Sequence, residues 1–233
     1  MNGDAGREIL ELLRRAPRAG PHRTIQGRPA SSGVEGDRAG MVLRFTEEAS
    51  SQGVTVHRAS GGQELAQVLT ASVRAQGIRR MVACASGAVS ALDLGRWAVE
   101  TGVEVVDSSR LGDRGAVREA AFTADAALTP ADFAVAESGT LVMAFDSDHQ
   151  RLLSVAAPAH FAVVAIDDLV MSYEEAFERL LRRRKGFAGQ VCFITGPSST
   201  SDIQAVQFKG MHGPARLEVI LLDTCERKPA GGL

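Results

Sequence analysis

A three-layer α/β/α domain built on a mostly parallel sheet is the fold class this sequence predicts, and three observations lead there. From residue 37 onward, helical and strand-like segments alternate, which is the grammar of βαβ units. The helical segments tend to stop at a glycine, where left-handed C-caps are favoured. Strands separated by helices run parallel in one sheet covered on both faces. The 233 residues suffice for one full hydrophobic core with an extension.

Taken in order, residues 7–16 carry Ile9, Leu13 and Ala16 on one helical face, and Pro17 ends the pattern. Residues 17–40 are rich in Gly, Pro, Ser and Arg and almost free of large apolar side chains, so they read as a flexible linker. The predicted boundary therefore separates an N-terminal helix and linker, 1–36, from an α/β domain, 37–233. Met41, Phe45 and Ala49 give a helix that ends before Gly53, and Val54 and Val56 begin a strand. Ser60 and Gln63 suggest a capping box for a helix with Leu65, Val68, Leu69, Ser72 and Val73 on one face, closed by Gly77. A buried strand at 80–85 follows, then a helix with Leu94, Trp97 and Ala98 stopping at Gly102, then a strand at 103–106. The second half is richer in strands. Residues 133–136 and 141–145 flank a Glu-Ser-Gly-Thr turn, and 161–166, 191–194 and 217–222 are further apolar runs. Between them Ser172 and Glu175 cap a helix whose face is Tyr173, Phe177, Leu180 and Leu181, with Glu175/Arg179 and Glu178/Arg182 as i,i+4 pairs.

Composition narrows the function classes. A net charge of -2 and a pI near 6.2 give no overall positive field for nucleic acid. No apolar run approaches a membrane span, and residues 1–16 lack the apolar core of a signal peptide. Neither nucleic acid nor membrane is therefore an expected partner. The cysteines, Cys84, Cys192 and Cys225, are scattered without any C-x-x-C spacing, so neither a metal nor an iron–sulfur cluster is expected in this chain. The glycine-rich fingerprints of nucleoside triphosphate and dinucleotide sites are also missing, and no cofactor is expected.

Three segments place turn glycines and polar groups at strand ends, where open sheets bind ligands. In Glu137-Ser138-Gly139-Thr140, the carboxylate is placed to serve as base, acid, nucleophile or acceptor; the plainer reading is a turn. Residues 195–202 carry five hydroxyls in eight positions. Gly196, Ser198, Thr200 and Asp202 could cradle an anion there, or form a solvated turn. The third, Gly210-Met211-His212-Gly213-Pro214, holds His212, a stronger candidate than His57, His149 or His160; a lone turn histidine is more often structural. Ser86-Gly87-Ala88-Val89-Ser90, between a strand and a helix, is a vaguer anion candidate. The run Arg182-Arg183-Arg184-Lys185 reads as a solvated helix end.

Together, residues 136–141, 194–203 and 211–214 followed by a final apolar strand resemble the signature blocks of the LUD-domain family, in the order and spacing of its cluster-free lactate-utilization member. The resemblance covers roughly residues 37–225 and is strongest from Asp132 onward. It implies a fold similar to the NagB/RpiA/CoA-transferase type. It also implies a cytoplasmic role in oxidising L-lactate to pyruvate beside partner subunits that carry iron–sulfur clusters. The scattered cysteines agree with the cluster-free member. Two departures are Ser138, where many relatives have Thr, and a 146–151 stretch with little glycine. An alternative from another class is an enzyme or sensor for a small carboxylate or an acyl-CoA. It would use Glu137 as the reactive carboxylate and residues 196–202 to hold the anion.

Overall fold

The computed structural model describes residues 38–145, 148–183, 189–201, 207–209 and 212–223, all within the unit Gly33–Leu233. The expected helix at 7–16 and nearly all of the linker lie outside the described residues, as do Cys225, Arg184 and Lys185. The chain begins with α1 (Arg38–Ser51), β1 (Thr55–Ala59), α2 (Gly62–Gln76), β2 (Arg80–Ala83), α3 (Leu94–Thr101) and β3 (Glu104–Asp107). It continues through α4 (Arg114–Thr123), β4 (Ala126–Pro130), the hairpin β5 (Phe133–Val135) and β6 (Thr140–Phe145), α5 (Asp148–Ala156) and β7 (Ala159–Ala165). The last part comprises β8 (Leu169–Val170), α6 (Tyr173–Arg183), β9 (Gln190–Ile194), β10 (Ser199–Ser201), β11 (Gln207–Lys209) and β12 (Arg216–Leu222).

Six strands form one parallel sheet in the order β1-β12-β7-β4-β2-β3. A second sheet, β8-β5-β6-β9, is mixed, with β5 antiparallel to β6 and parallel to β8. Strands β10 and β11 form a separate antiparallel pair.

Alternation of side chains along the parallel strands sends two apolar sets to opposite faces. On one face Leu65, Leu69 and Val73 of α2 and Trp97 of α3 pack over Met81, Leu128, Phe161 and Ile220. On the other, Val117, Ala120 and Ala121 of α4 and Leu153 of α5 cover Val82 and Ala127. Farther along that face, Phe45 of α1 and the inner side of the small sheet, including Leu141 and Met143, cover Val164, Val219 and Leu221. The three-layer α/β/α architecture is thus the observed one, with part of one covering layer supplied by a sheet. Helix α6 packs on the outer side of that small sheet through Ala176 and Leu180. Phe177 and Leu181 stay 44% and 54% exposed, so the buried face of α6 is rotated from the one its sequence suggested.

Local signals explain the helix ends. Gly77 and Gly102 close α2 and α3 in left-handed geometry. At the start of α2 the partner of Ser60 is Glu64 rather than Gln63: its carboxylate accepts from both the Ser60 N–H and hydroxyl. The Ser172 hydroxyl accepts from the Glu175 N–H at 3.4 Å, and Glu175 accepts in return from the Met171 N–H at 2.9 Å. Both i,i+4 pairs on α6 form. In the β5–β6 turn, Gly139 has φ +64°, and an added Cβ would lie 2.2 Å from the Ala49 nitrogen in α1. Only a residue without a side chain lets this turn press against the helix backbone.

Among the described residues, Glu218 and His160 are buried titratable groups with displaced equilibria. Burial alone would raise the Glu218 carboxyl, but hydrogen bonds from His57, Ser72 and Gln76 outweigh it and hold the carboxyl below its usual range. His160 is 1% exposed, and desolvation of its charged form pushes it down to about 4 from 6.5. Both depressed values have the same sign. The unfolded chain takes up protons more readily, so stability is full above the unfolded pKa and falls as pH drops toward the folded one.

Two outcomes follow from this packing. The His160 contribution should cost about 2–3 kcal/mol between pH 7 and 4.5, seen as a falling urea midpoint that His160→Gln flattens; an equal slope in the variant would contradict it. Gly139→Ala should destabilise by about 2–4 kcal/mol through clash and backbone strain. A wild-type denaturation midpoint in that variant would refute the close approach to α1.

Candidate active site at the carboxyl ends of the parallel strands

Strand β2 is flanked by β3 on one side and β4 on the other, so the chain reverses its direction of progress across the sheet there. Such a reversal splays the loops after the two strands apart and leaves a crevice at their carboxyl ends. A cavity of about 440 Å³ lies at this point, within the range of small-molecule sites. Cys84, Ser86 and Gly87 line it from beyond β2, Thr129 to Asp132 from the end of β4, and Met143 to Phe145 from β6. Ala165 and Asp168 from the end of β7, with Arg183 from the end of α6, complete the wall.

The polar groups are held by identifiable contacts. Cys84 Sγ lies 3.2 Å from Ser86 Oγ. Thr129 Oγ1 lies 2.8 Å from His160 Nε2, which sits behind the wall. One carboxylate oxygen of Asp132 accepts from the Ala144 N–H at 2.7 Å, tying the start of β5 to β6. Arg183 pairs with Asp168 and lies 4.7 Å over the Phe133 ring, a cation–π placement that fixes the guanidinium at the cavity. Chemically the cavity combines a thiol, hydroxyls, two carboxylates and one guanidinium. Arg183 is already paired with Asp168 and Asp132 adds a second carboxylate, so the lining disfavours a polyanion, and a small anion meets the guanidinium only by sharing it with Asp168. Among the described residues no group of three or more His, Cys, Asp or Glu is placed to hold a metal ion.

The residues singled out from sequence distribute differently. Glu137 lies outside this cavity lining; its carboxylate accepts from the Tyr173 N–H at 3.4 Å, at the start of α6, where a negative charge suits the helix dipole. Ser138 donates to Thr140 Oγ1 at 2.9 Å, and the same oxygen meets Tyr173 Oη at 2.9 Å and Thr195 Oγ1 at 3.0 Å. The Glu-Ser-Gly-Thr turn and the beginning of the hydroxyl-rich loop therefore do come together, as a cluster of side chains bonded to one another. An added Cβ on Gly196 would lie 3.0 Å from the Gln52 carbonyl oxygen, and this glycine faces the end of α1. Ser198 donates its N–H to the Pro214 carbonyl at 2.8 Å, joining the loop to the turn that contains His212. His212 itself is exposed and borders a separate cavity with Phe122, Leu152 and Val155. Thr200 lies in β10, its backbone opposite Phe208; Asp202 is outside the described residues.

Among the described residues, the Ser86–Gly87 loop is thus the one sequence candidate that reaches the cavity. Cys84, Thr129, Asp132, Asp168 and Arg183 were not among the site candidates. Arg183 had the appearance of a solvated helix end. The signal that could have found the cavity was topological, a strand-to-helix junction at a reversal of strand order, and that requires the order itself.

Comparison with known proteins agrees with this architecture. A DUF162 family protein from Deinococcus radiodurans matches with 24% identity and a TM-score of 0.58, over 80% of this chain and 98% of that chain, which supports the fold. Two Pyrococcus horikoshii OT3 structures are more distant. The translation initiation factor eIF-2B has 11% identity and a TM-score of 0.31, over 73% of this chain and 56% of that one. The 5-methylthioribose 1-phosphate isomerase has 15% identity and a TM-score of 0.28, over 55% and 39%. Neither carries functional weight. No curated protein matches the sequence. Among the described residues no helix is long and apolar enough to cross a membrane. The LUD domain model matches residues 42–222, which is most of the chain and nearly all of the α/β fold, and the protein belongs to the LUD-domain family.

Proposed function

We propose that this chain is a cytoplasmic component of an L-lactate oxidation system, that it binds a small organic acid in the cavity beyond β2 and β4, and that it works beside iron–sulfur subunits. The family is associated with lactate utilization. The observation that carries the ligand assignment is the cavity itself, where one guanidinium, Arg183, stands with the hydroxyls of Ser86 and Thr129. A 2-hydroxy or 2-oxo acid offers a small set of oxygens for these groups: one carboxylate to share Arg183 with Asp168 and one further oxygen for a hydroxyl. Converting the hydroxy acid to the oxo acid releases an electron pair and two protons; in this reading the partners' clusters accept the electrons. A three-carbon acid fills only part of about 440 Å³, which leaves room for a second reactant or a partner group. A reaction centred on Glu137 is less well supported, because that carboxylate is engaged at the start of α6.

An affinity-tagged chain expressed in its own lactate-grown cells should bring down iron–sulfur proteins, and deletion of its gene should abolish growth on L-lactate. A chain recovered alone together with unimpaired lactate growth would remove the assignment. The ligand site is tested by thermal shift. Pyruvate or L-lactate at about 100 times its dissociation constant adds roughly 2.7 kcal/mol, or several degrees at about 2–4 °C per kcal/mol. Glu137→Gln should keep this shift and Arg183→Ala should lose it; the reverse pattern would move the site to the Glu-Ser-Gly-Thr turn.

A further inference from the structure

Behind the cavity wall lies a histidine whose second nitrogen meets no partner among the described residues. His160 is 1% exposed, its Nε2 is 2.8 Å from Thr129 Oγ1, and its Nδ1 is buried with no hydrogen-bond partner among the described residues. Thr129, at the carboxyl end of β4, lines the cavity.

A neutral imidazole carries one N–H, and the two tautomers leave different atoms orphaned. With the proton on Nδ1, a buried N–H would have no acceptor. With the proton on Nε2, the orphan is only a ring lone pair, and the N–H donates to Thr129. The second arrangement is cheaper, because an unmade bond costs more at a donor held away from water. It also fixes the role of the threonine. An oxygen that accepts from His160 keeps its own O–H to donate, and no other described group takes that bond. Thr129 is 2% exposed and forms part of the cavity wall, so an acceptor for this O–H would come from the cavity side.

We propose that Thr129 is the hydrogen-bond donor of this cavity, giving its O–H to an acceptor oxygen of a 2-oxo or 2-hydroxy acid, and that His160 is the positioning residue that turns this hydroxyl toward the ligand. The carboxylate of the acid faces Arg183. The proposal rests on the organic-acid reading above and adds the atom that recognises the second oxygen and the buried group that orients it.

Two measurements test it on the full chain. In protein with 15N-labelled histidine, imidazole spectra at pH 7, assigned with His160→Gln, should show His160 neutral and protonated on Nε2. Calorimetry with pyruvate and with L-lactate as probes should give binding to wild type and Thr129→Ser, and a loss of about tenfold in Thr129→Val. A proton on Nδ1, or wild-type affinity in Thr129→Val, overturns the proposal while the organic-acid reading stands. Absence of binding to wild type removes both. If Thr129→Val does not fold, the wild-type spectrum decides: pyruvate must shift the His160 Nε2 resonance, and an unmoved resonance overturns the assignment.

Discussion

The pairing of β12 with its two neighbours holds the rest of the molecule in register. This strand lies between β1 and β7, bonding Thr55–Ala59 on one side and Ala159–Ala165 on the other. Leu217, Val219, Ile220, Leu221 and Leu222 are all buried, and they feed both faces of the sheet, Ile220 and Leu222 under α2 and the others under α1 and the small sheet. Without it, the first strand has no partner and the two apolar layers lose their shared floor. Such long-range pairing carries a loop-closure cost before any contact repays it. The polar exception, Glu218, is tied to His57 on the neighbouring strand and to Ser72 and Gln76 on α2, and these bonds link the strand to β1 and to the helix above.

That insertion also decides where chemistry can sit. With β12 and β7 in the middle, β4 lies beside β2, and the chain's reversal at β2 opens the crevice between their loops. The small sheet then converts a crevice into a cavity. Its strand β6 supplies Met143 to Phe145, and α6, packed on its outer side, brings Arg183 back over Phe133. The hydroxyl cluster of Ser138, Thr140, Tyr173 and Thr195 and the contact of Gly139 with α1 secure the other end of that sheet. In this account the Glu-Ser-Gly-Thr block matters for the site by holding its wall, and Glu137 by anchoring the start of α6.

Much of the fold was legible because the responsible signals are local. Gly77 and Gly102 ended helices where their φ freedom is needed, Ser172 and Glu175 began one, and the apolar runs at 161–166 and 217–222 marked central strands. Helices α4 and α5 escaped because the core side chains of α4 are Val117, Ala120 and Ala121, too small to stand out as a periodic apolar face, and α5 contributes mainly Leu153 to the same cluster. Strand β4 escaped for the same reason: Ala126-Ala127-Leu128-Thr129-Pro130 has little β-branched or aromatic content. The missed strand holds Thr129. From sequence His160 ranks below His212, and Cys84 stands out only as one of three scattered cysteines. Which of these meet depends on strand order, a non-local property that single-sequence periodicity does not contain.

The most direct test that the ligand site lies at the carboxyl ends of β2 and β4 is a crystal structure of the full chain grown with pyruvate. The acid should lie between Arg183 and Thr129, with the Glu137 carboxylate still at the start of α6. Pyruvate bound instead against Glu137 and the loop after β9, with the cavity holding only solvent, would contradict it.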